Sequence, residues 1–336
     1  LLQWISFMRI PIREGAKDML SREQISFFKN QGYLVLEGLV HQDKYLNPIR
    51  KEYSGLLDSL IDKWVAQGKM EALPLRYNFF EKLLASYLAG CDWFQPMDIS
   101  LPGDKITNET PMHFSEATFK LLTCPAILDA VEQLVGPEIT SNPIQHVRLK
   151  PPTLHLHDSE VRAHVSKTDW HQDKGVALPE ADKTNMITVW IAVTDATEEN
   201  GCLAVIPKNK CEFELFPHCQ KEQTAIDSRF IEYSSVMPLP VKSGGIVLLD
   251  PLTPHASLNN GSSDFRWSFD IRYNVTGQPT GRSHFPSFIA RSRKDPGGVL
   301  TDWTEWKTMW EQARDRLATA KHIPIHRWKS DSPFCA

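Results

Sequence analysis

The sequence predicts a mainly β fold with flanking helices, its strands arranged as a sandwich or barrel. Three observations carry this. Helical spacing of apolar residues dominates the first part of the chain. Short β-branched runs between turn signals dominate the middle. Helical spacing returns near the end.

The elements follow in order. Ser21 with Gln24 has the form of a capping box, and Ile25 and Phe28 give the helix behind it an apolar side, stopped by Gly32. Tyr33 to Val40 reads as a strand. Residues 43–67 carry Leu46, Ile49, Tyr53, Leu57 and Leu60 at helical spacing. Shorter helices are expected over 79–88 and 115–122. Another starts at Pro125, a good first-turn residue, and runs to Leu134 before Gly136. Ile187 to Val193 is β-branched and apolar, Asn200-Gly201 is a tight-turn signal, and Cys202 to Ile206 is a second short strand. Ile246 to Leu249 after Gly244-Gly245 reads as a buried strand, and Phe265 to Tyr273 alternates. Trp303, Trp306, Trp310, Ala313 and Leu317 form a helical stripe for packing against the sheet. We expect a single domain over 1–336: a helical flank over 1–140, the β core over 141–290 and a last helix over 301–320.

Composition narrows the function. A formal net charge of −4 gives no basic excess for nucleic acid or an anionic membrane. No apolar run approaches the roughly 20 residues of a membrane span. Arg9, Arg13, Glu14 and Lys17 interrupt any signal-peptide pattern, and Pro333-Phe334-Cys335-Ala336 matches no targeting signal. A cytoplasmic monomer or homodimer acting on a small-molecule substrate is the expectation. The six cysteines include no C-x-x-C pair, and scattered free thiols are expected rather than a disulfide or zinc framework.

The chemistry concentrates in Trp170-His171-Gln172-Asp173. On a strand, residues two apart face the same way, so His171 and Asp173 could grip one ion. The tripeptide alone is weak: His41-Gln42-Asp43 repeats it where a strand gives way to a helix, and there Asp43 reads as a helix-start residue. His255, just past the strand 246–249 and a Pro-rich loop, separates the two copies. Two histidines and a carboxylate from different strands make the facial triad of non-haem Fe(II) oxygenases, which leaves room for a bidentate 2-oxo acid and O2. The far carboxylate of such an acid needs a planar, bidentate donor, and Arg266 on the next strand suits it, with Ser257 as a helper. Period two then puts Ser268, Asp270 and Arg272 on the face of Arg266, with Trp267, Phe269, Ile271 and Tyr273 under the helices. Asp270 and Arg272 either neutralise each other and their neighbours or offer Arg272 to a substrate anion near the metal.

At these residues the chain resembles the phytanoyl-CoA dioxygenase family, from about Leu20 to Arg291. Leu20 to Gln24 with Asn30 to Leu36 is similar to the family's opening helix and strand. Lys150-Pro151-Pro152 leading to His171-Gln172-Asp173, the Glu199 to Pro207 hairpin, and His255-x-Ser257 with Arg266 continue the likeness. The resemblance implies a double-stranded β-helix (jelly-roll, cupin-like) core and a requirement for Fe(II), 2-oxoglutarate and O2. It also implies that Trp190, and less directly Lys150, line the co-substrate cavity. The chain departs from the family at Pro207-Lys208-Asn209-Lys210, where Pro-Gly-Ser-His is frequent, which puts acyl-CoA specificity in question. Asp173 stands where related halogenases carry a small residue, so oxidation of an unactivated C–H is expected over halogenation. Three alternatives stay open at this point: an acyl-CoA 2-hydroxylase, a cupin-like metalloenzyme that does without 2-oxoglutarate, and a non-catalytic jelly-roll binding module.

Overall fold

The computed structural model describes residues 19–160, 162, 165–212, 214–220, 223–320, 324–329, 331 and 335. The N-terminal basic residues and Pro333, Phe334 and Ala336 of the sequence reading lie outside the described residues. In chain order the helices are α1 (Arg22–Gln31), α2 (Asn47–Ala66), α3 (Phe79–Leu88), α4 (Phe94–Met97), α5 (Glu116–Leu122), α6 (Pro125–Val135), α7 (Asp173–Val176) and α8 (Trp303–Ala318). The strands are β1 (Tyr33–Leu36), β2 (Ile139–Lys150), β3 (Met186–Ala192), β4 (Leu203–Val205), β5 (His218–Gln220), β6 (Thr224–Ile226), β7 (Met237–Leu239), β8 (Ile246–Leu249), β9 (His255–Ser257), β10 (Arg266–Val275) and β11 (Phe288–Arg291).

Two antiparallel sheets form the β core. The larger runs β1-β8-β3-β10-β2-β11, the smaller β7-β4-β9, and β5-β6 is a separate hairpin. Tyr33, Val35, Trp190, Val247 and Leu249 of the larger sheet pack with Leu203, Val205 and Leu239 of the smaller, so the two inner faces share one apolar layer. The helices cover the outer face of the larger sheet. Trp267, Phe269, Ile271 and Tyr273 of β10 join the helical core, and Tyr53 of α2 places its ring 5.2 Å from Trp267 and 6.1 Å from Phe269. The alternate residues Arg266, Ser268, Asp270 and Arg272 are buried on the opposite side, as strand geometry requires.

Local chemistry explains the boundaries. The capping box at Ser21 and Gln24 is formed, and Asn78 with Glu81 makes another at α3. Gln42–Leu46 forms a π-helical turn ahead of α2. The predicted strand from Tyr33 shortens to Leu36. Strand β2 has no counterpart in the sequence reading. Pro143 interrupts its pattern, and the β10 register shifts there, from Asp270 opposite His146 to Arg272 opposite Asn142. Cys219 and Cys335 are disulfide-bonded, which corrects the expectation of free thiols; Cys91, Cys124, Cys202 and Cys211 are free. Among the described residues no helix is long and apolar enough to cross a membrane.

Candidate metal centre

His171, Asp173 and His255 bring one ligand atom each within 4.8 Å of one another, all three residues buried; among the described residues they form the one such cluster of His, Cys, Asp and Glu. Their placement corrects the strand picture. His171 and His255 form an isolated antiparallel bridge, each N–H donating to the other's carbonyl at 2.9 Å. Asp173 instead opens α7, where a carboxylate suits the first turn of a helix. Gly175 lets this turn lie against His218, whose ring a Cβ at that position would meet at 2.4 Å. Gln172 ties the segment down through Nε2 to the carbonyls of Glu214 and Leu252, both at 2.6 Å.

Each donor is oriented from behind. His171 Nδ1 lies 2.8 Å from the Asp169 carbonyl and His255 Nδ1 lies 3.0 Å from that of Thr253, which turns both Nε2 atoms toward Asp173 at 3.8 Å. Such partners set the tautomer of a ligating histidine. Burial, then the neighbouring His255, pushes the His171 imidazole down to about 3, which keeps it neutral. Burial alone would raise the Asp173 carboxyl, but the Arg272 guanidinium and the two imidazoles hold it below the ordinary carboxylate range. Arg272 donates to one Asp173 oxygen and the Thr188 hydroxyl to the other.

The remaining predicted residues gather around the same pocket. Trp190, Ser257, Arg266 and Asp270 line it together with His171 and His255. Arg266 lies directly across the ladder from Lys150, both fully buried. Lys150 Nζ donates to Ser257 Oγ. Arg266 Nη1 donates to Ser268 Oγ at 2.6 Å, and the guanidinium carbon lies 5.3 Å from the Trp190 ring. Among the described residues, Arg266 Nε and Nη2 and Trp190 Nε1 are buried without a hydrogen-bond partner. Burial and the nearby Arg148 push Arg266 down to about 9, leaving it a cation at neutral pH. Lys150 is driven well below its ordinary value by burial, then by Arg266 and Arg148.

Asp270 and Arg272 sit behind the His-Asp-His cluster. Arg148 reaches Asp270 at 2.6 Å, Arg272 lies 3.5 Å from Asp270, and Arg272 Nη1 donates to the Ile144 carbonyl at 3.0 Å. The sequence reading missed Arg148 and Thr188, each two residues before a residue it had singled out. Their signal is period two along β2 and β3, and it needed β2 to be seen as a strand. His41 and Asp43 stand apart: Asp43 accepts from Asn47 Nδ2 at 2.8 Å at the exposed start of α2.

A second, larger cavity of about 910 Å3 shares His171, Arg148 and Thr168 with this pocket. Lys208 and Lys210 are not among the residues lining either space.

Known proteins resemble this arrangement. The bovine peroxisomal phytanoyl-CoA dioxygenase is 24% identical over 265 residues, covering 76% of this chain and 69% of that protein. An L-proline trans-4-hydroxylase of Streptomyces griseoviridis is 26% identical over 199 residues, 53% of this chain and 70% of that protein. Among solved structures, the apo non-haem monooxygenase ThoJ shares the fold at a TM-score of 0.54 and 17% identity, covering 88% of this chain and 98% of its own. The model of the family described as phytanoyl-CoA dioxygenase (PhyH) matches residues 28–268. With the His-Asp-His cluster inside that stretch, the chain belongs to the phytanoyl-CoA dioxygenase family and is a non-haem iron and 2-oxoglutarate-dependent oxygenase.

Proposed function

We propose that the chain oxidises an unactivated C–H of a small organic molecule with Fe(II), 2-oxoglutarate and O2, releasing succinate and CO2, on a double-stranded β-helix core. One observation carries the reading: a buried His-Asp-His cluster shares a pocket with a buried arginine that, among the described residues, has open donors and no carboxylate partner. Buried cations call for an anion. A cupin-like enzyme without a 2-oxo acid, or a binding module, leaves that arrangement unexplained.

The roles follow from the contacts. His171, Asp173 and His255 would hold Fe(II), the chemistry of two neutral imidazoles and one carboxylate. When bound, the metal supplies the means to join O2 and the 2-oxo acid into an oxidant. Arg266 would receive the far carboxylate of 2-oxoglutarate through its open Nε and Nη2, with Lys150 and Ser257 beside it and Trp190 Nε1 as a further donor. Trp190 also shields the guanidinium from water with its face. Arg272 and Thr188 hold the Asp173 carboxylate in place. The larger cavity meets the pocket at His171 and would admit the substrate.

The relatives' names point to different substrates, an acyl-CoA and a free amino acid. The exposed Lys210 and its neighbour Lys208, a basic pair that could face a nucleotide tail, lie away from the cavity lining. That favours a free small molecule over an acyl-CoA.

The test is spectroscopic and catalytic. Under nitrogen, Fe(II) and 2-oxoglutarate added to the protein should give the charge-transfer band of a ferrous 2-oxo acid chelate. In air, succinate should form. His255→Ala should lose both, and His41→Ala neither. Full succinate production by His255→Ala would overturn the assignment.

A further inference from the structure

Arg282 plays no part in the roles above, yet it lines the same 910 Å3 cavity as His171 while only 6% exposed. It stands past β10 and outside residues 28–268 of the family match. Its place is built. The Arg282 N–H donates to Thr280 Oγ1 at 3.2 Å, and the Phe285 N–H donates to the Arg282 carbonyl at 2.9 Å. Gly281 before it takes φ +74 and lies so close to α7 that a Cβ would meet the Ala177 Cβ at 2.7 Å. The Leu178 N–H donates to the Gly281 carbonyl at 3.2 Å. The turn that carries Arg282 is thus clamped to the segment that carries Asp173.

Among the described residues the guanidinium makes one hydrogen bond, from Nη1 to the Gly281 carbonyl at 3.0 Å, and no ion pair. The other cavity arginines are engaged: Arg148 by Asp270, Arg162 by Glu160, and Arg272 by Asp173. The cavity carboxylates are placed elsewhere. Asp98 is held by His146 Nδ1 at 2.9 Å and the Val147 N–H at 2.8 Å, and Asp104 is exposed. Burial, then Arg272, lowers Arg282 to about 10, so it stays charged at neutral pH. The bond to Gly281 leaves the Nε/Nη2 edge of the fork open, the edge that takes a carboxylate side-on.

We infer that Arg282 binds a carboxylate on the substrate, so that the oxidised molecule is a carboxylic acid held by its acid group while its carbon skeleton reaches toward His171. This rests on the proposed function, which makes the large cavity the substrate site. A phosphate carries a second negative charge, and the cavity's other arginines are already paired.

The test measures binding to the Fe(II)- and 2-oxoglutarate-loaded protein under nitrogen, by calorimetry. The probes are benzoate, decanoate and N-acetylproline, each beside its methyl ester, with decanoyl-CoA as a further arm. At least one acid should bind about tenfold more tightly than its ester, the scale of one hydrogen bond to a charged group. Arg282→Gln should erase that difference, and Arg282→Lys should restore part of it. Equal binding of acid and ester, no binding by any acid, preference for decanoyl-CoA over decanoate, or an acid preference that survives in Arg282→Gln would each overturn the inference. If Arg282→Gln does not fold, the wild-type acid–ester comparison decides. The wild-type charge-transfer band separates the two readings: its absence strikes the proposed function, whereas a band without acid preference strikes Arg282 alone.

Discussion

Asp173 has no free oxygen on the protein side. Arg272 meets Oδ1 and Thr188 meets Oδ2, so the direction in which the carboxylate faces the two imidazoles is fixed before any ion arrives. Arg272 is held in turn by Asp270 and the Ile144 carbonyl, and Asp270 by Arg148. Two carboxylates and two guanidiniums thus form one buried chain behind the His-Asp-His cluster. Its members balance in charge, so removing one leaves a buried charge unmatched, a loss of about 3–5 kcal/mol for a buried pair. Arg272→Ala should therefore lower the melting temperature clearly. Arg272→Lys should keep the charge and most of the stability but lose the fork, and a support behind a metal ligand is worth about 10–100-fold in metal affinity. Titration of the metal-free protein with Co(II), read by the visible spectrum, checks the second effect. Wild-type affinity in a folded Arg272→Lys protein would remove Arg272 from this role.

Strand β10 shows how one element serves two purposes. Trp267, Phe269, Ile271 and Tyr273 fill the core under the helices, whereas Arg266, Asp270 and Arg272 on the other face reach the two cavities. Trp267→Ala should cost about 3–5 kcal/mol of stability, the range for emptying a large buried aromatic, and spare the 2-oxoglutarate KM. Arg266→Ala should raise that KM strongly with metal binding intact, since truncating one partner of a buried charge-assisted pair costs about 2–5 kcal/mol. Denaturant melts and co-substrate titrations of both variants separate the faces; a 2-oxoglutarate KM unmoved in Arg266→Ala would rule out the anchor. This alternation was legible in the sequence because period two leaves no choice once one residue is placed. So were His171, Asp173 and His255 as residue types. Their local backbone was not. A four-residue helix such as α7 is dictated by contacts, here Gly175 against His218 and the Gln172 bonds, and leaves no periodic trace. Strand β2 hid behind Pro143, which ordinarily argues against a strand and here occupies a register shift. With β2 unseen, Arg148 had no face to belong to. Arg282 lies on a turn, where no period announces a direction.

At the scale of the whole molecule, the described residues 324–329 return to the wall of the large cavity and to α7. Ile325 and His326 line the large cavity, and Ile325 Cδ1 lies where a Cβ on Gly103 would meet it at 2.0 Å. Arg327 pairs with Asp182 after α7, Trp328 Nε1 donates to the Gly175 carbonyl at 2.7 Å, and the Trp328 ring stacks on His218 at 5.2 Å. Cys335 is bonded to Cys219 on β5, 116 positions earlier. These ties join the segment to the backbone that carries Asp173, so its grip on the cavity and the rigidity of α7 are linked. Removing a native cross-link of this span costs about 2–5 kcal/mol, mainly by freeing the unfolded chain. Cys335→Ser should lower the stability of the wild-type oxidised protein by that order and make it insensitive to added reductant. Trp328→Ala should act differently. It removes a stack on His218 and a hydrogen bond to Gly175 that hold the neighbours of the cavity-lining Ile325 and His326, so it should raise the Kd of whichever carboxylic acid binds the wild type, and leave the disulfide in place. Thermal melts with and without reductant, beside calorimetry of that acid, distinguish the two. An identical melting temperature for wild type in oxidising and reducing buffer would mean that the cross-link contributes nothing. Wild-type acid affinity in Trp328→Ala would mean that the segment covers the cavity without shaping it.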